Sequence, residues 1–95
     1  MSGLDQRIHH PARLTLMTIL ASVTEAEFVT LRDRLGVSDS VLSKHLAALA
    51  DSGYVTVRKA VHQGRRTTWA GLTRRGRSAL DAHVAALRAL IDELP

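Results

Sequence analysis

The most constraining stretch of the chain is Ser38 to Gly53, where both ends of one short helix can be read. Ser38 can cap the N-terminus through its hydroxyl, and Gly53 can adopt the left-handed conformation that ends a helix. Leu42, Leu46 and Leu49 fall at i, i+4 and i+7, so the helix carries one narrow apolar stripe. The opposite face holds Asp39, Ser40, Ser43, Lys44 and Ala47, which are short and mostly polar.

A second helix precedes it closely. Thr24-Glu25-Ala26-Glu27 matches a capping box, and Phe28, Leu31 and Leu35 follow at helical spacing before Gly36. Val37 then bridges to Ser38. Two capped helices joined by a Gly-containing turn of about three residues have the spacing of a helix-turn-helix, here over 25–52. The third helix of the chain, 39–52, is narrow enough for a groove about 12 Å wide, the DNA major groove. An amphipathic surface helix that binds nothing would carry the same stripe.

Leu4 and Ile8 predict a short helical turn over Gly3 to His9, and Pro11 suits the first position of a helix running to about Ser22. That helix has two apolar sides. Leu14, Met17 and Leu20/Ala21 mark one, and Leu16, Ile19 and Val23 mark the other, which could meet a partner subunit. After Gly53 the period changes to alternation. Tyr54 to Lys59 reads as a strand, His62-Gln63-Gly64 as a turn and Arg66 to Leu72 as a returning strand. This hairpin, 54–72, must pack on the helices to be stable. Thr73 can cap a final helix over 74–94, in which Gly76 is a mild cost. Its Leu80, Val84, Leu87, Ile91 and Leu94 form a heptad seam suited to a dimer contact or to the domain's own core.

Ninety-five residues make one domain, 1–95. The absence of cysteine excludes disulfides, thiolate metal sites and cysteine catalysis. No apolar run approaches the roughly eighteen residues of a membrane span, and a signal peptide is not expected, so the reading is cytoplasmic. The net charge of +4 is unevenly spread: between Asp51 and Asp81 there are seven cations and no acid. Such a local field suits a polyanion. An enzyme is not expected, because the chain lacks a glycine-rich phosphate loop and a nucleophile elbow. Ser43 and His45 stand at i and i+2, which do not face each other on a helix.

The order of elements, with Leu-Ser-Lys-His-Leu-Ala-Ala-Leu at 42–49, Ser-Gly-Tyr-Val at 52–55, Gly-Arg-Arg at 64–66 and Leu-Thr-Arg-Arg-Gly-Arg at 72–77, resembles the MarR/ArsR-like winged helix-turn-helix regulators. The likeness is nearest to their small single-domain "winged helix DNA-binding" branch. It implies a mainly α fold with a small β-hairpin (α-α-α-β-β-α) that dimerises through terminal helices. It further implies a homodimeric, sequence-specific transcriptional regulator of double-stranded DNA, acting as a repressor in the cytoplasm. Its recognition helix 39–52 would enter the major groove, and its wing 58–66 would lie on the minor groove or backbone.

Matched residue by residue, the recognition positions are Ser38, Asp39, Ser40, Ser43, Lys44 and His45, where His45 is equally suited to half-buried packing. The wing positions are Arg58, Lys59, His62, Gln63, Arg65 and Arg66. Dimerisation would draw on Leu16, Ile19, Leu80, Val84, Leu87, Ile91 and Leu94. Trp69 fits strand packing better than a ligand platform. The chain departs from its thiolate metal-sensing relatives in having no cysteine. It also has only the first half, Asp81-Ala82-His83, of a terminal-helix zinc site, so neither metal nor cofactor is expected. Compared with ligand-binding MarR proteins it is short, which leaves at most a small-molecule effector site at the dimer interface. The alternatives are a winged-helix protein-interaction module and a non-specific architectural DNA binder.

Overall fold

Helix α1 (Pro11–Ala21) is the central element, packed against the other three helices and the middle strand of the sheet. The computed structural model describes residues 3–94; Met1, Ser2 and Pro95 of the single-domain reading lie outside the described residues. After α1 come β1 (Ala26–Glu27), α2 (Phe28–Leu35), α3 (Asp39–Asp51), β2 (Val55–His62), β3 (Arg65–Leu72) and α4 (Arg74–Asp92). The strands form one antiparallel sheet in the order β1-β3-β2.

Pro11 begins α1 as expected, and the His10 ring caps it by accepting the Ala12 N–H at 3.2 Å. Leu16, Met17 and Leu20 are all fully buried, among Leu31 of α2, Leu42 and Leu49 of α3 and Leu80 of α4. Most of both apolar sides of α1 is therefore covered within one protomer, with Ile19 half-buried and Val23 exposed. The sequence pattern offers Leu16 to a partner subunit, but it lies in the protomer's own core because α4 and β3 close over that side.

The capping box at Thr24–Glu27 does not form. Ala26 and Glu27 instead pair with Ala70 and Trp69 as a short edge strand, and Glu27 becomes the N-cap of α2 without a side-chain hydrogen bond. The backbone edge of β3 outcompetes the local cap. The turn and α3 follow expectation more closely. Gly36 ends α2 at φ 66°, and the Ser38 hydroxyl accepts the Val41 N–H at 3.2 Å.

Gly53, at φ 78°, turns the chain out of α3 into β2. The hairpin extends further than its β-branched residues suggest, in unbroken register from Val55↔Leu72 to His62↔Arg65. Gln63 and Gly64 close it with φ of 52° and 77°, the pattern of a two-residue type I′ turn whose twist matches the strands. At α4, Thr73 accepts the Gly76 N–H at 2.9 Å and donates to the Gly53 carbonyl at 2.6 Å. A Cβ on Gly76 would lie 2.1 Å from the Tyr54 carbonyl oxygen, so the glycine permits a close approach that outweighs its helix cost.

The heptad seam of α4 changes character along its length. Leu80 is buried, Val84 and Leu87 are half-buried, and Ile91 and Leu94 are 64% and 68% exposed. The radius of gyration, 14.4 Å, exceeds the roughly 12 Å of a compact chain this size, because hairpin and α4 both extend from the body. The N-terminal segment forms a turn at 6–8, short of a helix, and inserts Ile8 fully into the core. Among the described residues no helix is long and apolar enough to cross a membrane.

Candidate nucleic-acid interface

The apolar seam of α3 is spent on the core, so its opposite side is free. Leu42, Leu46 and Leu49 are buried, while Ser38, Asp39, Ser40, Ser43, Lys44 and Ala47 are exposed. Small side chains let the backbone of such a helix come close to base edges, and Lys44 adds charge. Ser38 has its oxygen occupied by the Val41 N–H, which leaves its hydroxyl proton available. Asp39 is held by Arg32 of α2, whose Nη1–H donates to its Oδ1 at 3.0 Å. Arg32 also binds Asp33 at 3.1 Å, and these two acids, Asp39 first, raise its pKa.

His45 is turned away from this surface. It is 8% exposed, its Nδ1 accepts the Arg13 Nε–H at 3.1 Å, and the His10 ring lies against it at 4.8 Å between centroids. Burial, then the neighbouring His10 and Arg13, lowers its pKa. Of the two roles open to it, the structure places it in packing.

Strand alternation divides the wing residues between two faces. The register puts Val57, Lys59, Val61, Arg66 and Thr68 on one side and Arg58, His62, Arg65 and Trp69 on the other. Val57, Lys59 and Thr68 share a cleft of about 630 Å³ with Phe28, Asp39, Ser43 and Ala47, so that side of the wing and the free side of α3 form one concave surface. On the far side, Arg58 makes a two-pronged pair with Glu25, at 2.7 and 2.8 Å, and lies 5.7 Å from the Trp69 ring centre. The hydrogen bond from Arg58 lowers the Glu25 pKa. Arg58, though exposed like Lys59, His62, Gln63, Arg65 and Arg66, is thus engaged within the domain. Trp69 is half-buried and donates to Thr67 at 3.0 Å, consistent with strand packing.

Two contributors escaped sequence reasoning. Arg32 pairs across the helix-turn-helix with Asp39, which only the turn's geometry brings near. Arg13 supports His45 from a different helix. Among the described residues no group of three or more His, Asp or Glu side chains is arranged to hold a metal ion.

A family model for the winged helix DNA-binding domain matches residues 12–91. The chain belongs to that family. This winged helix domain is 31% identical over 72 residues to an uncharacterised protein of Methanocaldococcus jannaschii, covering 76% of this chain and 78% of the relative. Its fold matches a transcriptional regulator homologue from Pyrococcus horikoshii with a TM-score of 0.87 at 25% identity, over 95% of this chain and 91% of that one. It also matches a MarR family transcriptional regulator from Streptomyces coelicolor with a TM-score of 0.69 at 26% identity, over 83% of this chain and 54% of that one. The winged helix domain is accordingly a DNA-binding module of the transcriptional-regulator type.

Proposed function

We propose that the protein is a homodimeric, sequence-specific repressor in the cytoplasm. In this reading α3 enters the major groove and the wing lies on the adjacent minor groove or backbone. The observation that carries it is the shared concave surface: the small-residue side of α3 faces the same cleft as Lys59, with Arg66 on that side of the wing. Ser40, Ser43 and Lys44 would meet bases or adjacent phosphates, and Lys59, Arg65 and Arg66 would meet the backbone. Ile91 and Leu94, with Leu87 and Leu90 beside them, leave an apolar helix end that a second copy would cover. Val84 and Ile19 are half-buried and could extend that contact; Leu80 is already in the core.

Selection of bound duplexes from a random pool at about 150 mM salt, against random competitor DNA, tests the reading. An enriched motif with two-fold symmetry is the expected result. Binding without an enriched motif would leave an architectural protein. A well-folded protein that retained no duplex would point to an interaction module.

A further inference from the structure

Residues 5–13 run between the two helices assigned to reading and to pairing, and two buried histidines fasten them there. His83 of α4 is fully buried. Its Nδ1 accepts the Asp5 backbone N–H at 2.9 Å, and its Nε2 has no hydrogen-bond partner among the described residues. The His9 ring packs against it, with centroids 5.4 Å apart. On α3, His45 accepts from Arg13 and meets the ring of His10. The adjacent histidines thus divide, His9 toward α4 and His10 toward α3. Between the two anchors, Asp5 accepts the Tyr54 O–H, Arg7 donates to the Tyr54 oxygen at 2.8 Å, and Ile8 fills the core.

Both buried rings use Nδ1 as the acceptor, so their neutral form carries its proton on Nε2. A proton added to Nδ1 would face a donor in each case: a backbone N–H at His83 and an arginine N–H at His45. Neither donor can turn into an acceptor. We propose that the His9-His10 segment is a proton-released clasp between α3 and α4, closed at neutral pH and opened in mild acid, whose opening weakens DNA binding. Its last clause rests on the DNA-binding reading above; the opening itself does not.

The groups facing His83 are Asp5 and His9 of the N-terminal segment, and those facing His45 are His10 and Arg13. Burial is the main cause lowering the pKa of both histidines; His9 adds to it at His83, where Asp5 opposes, and His10 and Arg13 add to it at His45. Native values below the ordinary 6.5 mean that the closed state binds protons less readily than the open one. The stabilisation is fully present above that ordinary value and is lost as the pH falls through the lowered native values. Opening becomes more favourable by up to about tenfold per pH unit for each histidine.

The test follows exchange of the Asp5 N–H and the Arg13 Nε–H by NMR in the full chain, from about pH 8 to about pH 5.5. It is run beside the double variant His45→Asn/His83→Asn, in which an amide oxygen can take the place of Nδ1 and cannot titrate. In the wild type both protons are expected to lose protection together by about tenfold or more while the Leu16 and Leu20 amides keep theirs. In the double variant both stay protected. Wild-type protons that remain protected at the lower pH, or are lost only when Leu16 and Leu20 are, overturn the clasp. If the double variant does not fold, the wild-type comparison with Leu16 and Leu20 decides alone.

Duplex affinity is measured on the same samples. Groups outside the clasp are the same in both proteins. A loss of affinity in the wild type about tenfold larger than in the double variant therefore isolates the clasp. Equal pH profiles overturn its link to DNA. If no duplex is bound even at the higher pH, the DNA-binding reading fails, and the two exchange protons still decide whether the clasp exists.

Discussion

The Arg32 guanidinium reaches across the helix-turn-helix to hold the Asp39 carboxylate at 3.0 Å, at the start of the helix proposed to read DNA. An acid there would repel phosphates if left alone. Arg32→Ala is therefore expected to lower duplex affinity several-fold with little change in thermal melting, because exposed ion pairs add little to folding. Asp39→Asn in the same background should restore most of the loss in a fluorescence anisotropy titration. Failure to restore it would mean that Arg32 contacts the duplex itself.

Gly76→Ala offers a test in which local and tertiary effects have opposite signs. Helix propensity alone predicts a gain of roughly 1 kcal/mol. The Tyr54 carbonyl, 2.1 Å from the added Cβ, predicts a loss of about 3 kcal/mol as the first turn of α4 is forced outward. Urea unfolding should show the loss.

Lys44 and Arg66 should fail differently. Lys44→Ala is expected to change sequence preference by about 1–3 kcal/mol if the ammonium reads a base edge. Arg66→Ala, present once in each protomer, should weaken all duplexes alike and make the salt slope of the dimer shallower by about two. For a dimer neutralising on the order of eight phosphates, the parent slope of log K against log salt would be near −7. Equal losses on cognate and random DNA from Lys44→Ala would reassign it to a phosphate.

Ile91→Glu examines the outer end of α4. Ile91 is 64% exposed in the protomer, so the substitution should leave the fold intact and raise the monomer fraction in sedimentation velocity. A folded variant that remained dimeric would move the interface elsewhere.

The helices were legible because their signals are local. Ser38, Gly36 and Thr73 all cap where their chemistry predicts, and Leu42, Leu46 and Leu49 turn inward. Thr24–Glu27 misled because its rival was a strand far along the chain, and a cap signature carries no information about an available sheet edge. The basic wing was legible as charge, but its division into two faces depends on the register of Val55 with Leu72. Arg58 could not be separated from Lys59 without it. Leu16 reads as a dimer contact in the sequence because its helix is apolar on both sides, a pattern that an interface and a central core helix share.

The Tyr54 carbonyl joins three parts of the molecule. It ends the turn out of α3, stands before β2, and both accepts the Thr73 N–H at 3.0 Å and abuts Gly76 of α4. The start of α4 is thereby fixed on the joint between recognition helix and wing. In the proposed dimer α4 is then a ruler rather than a tether. One residue inserted in its outer half would advance the far end by about 1.5 Å and rotate it by about 100°. The phasing of two half-sites on the duplex would change while the bases read within each stayed the same.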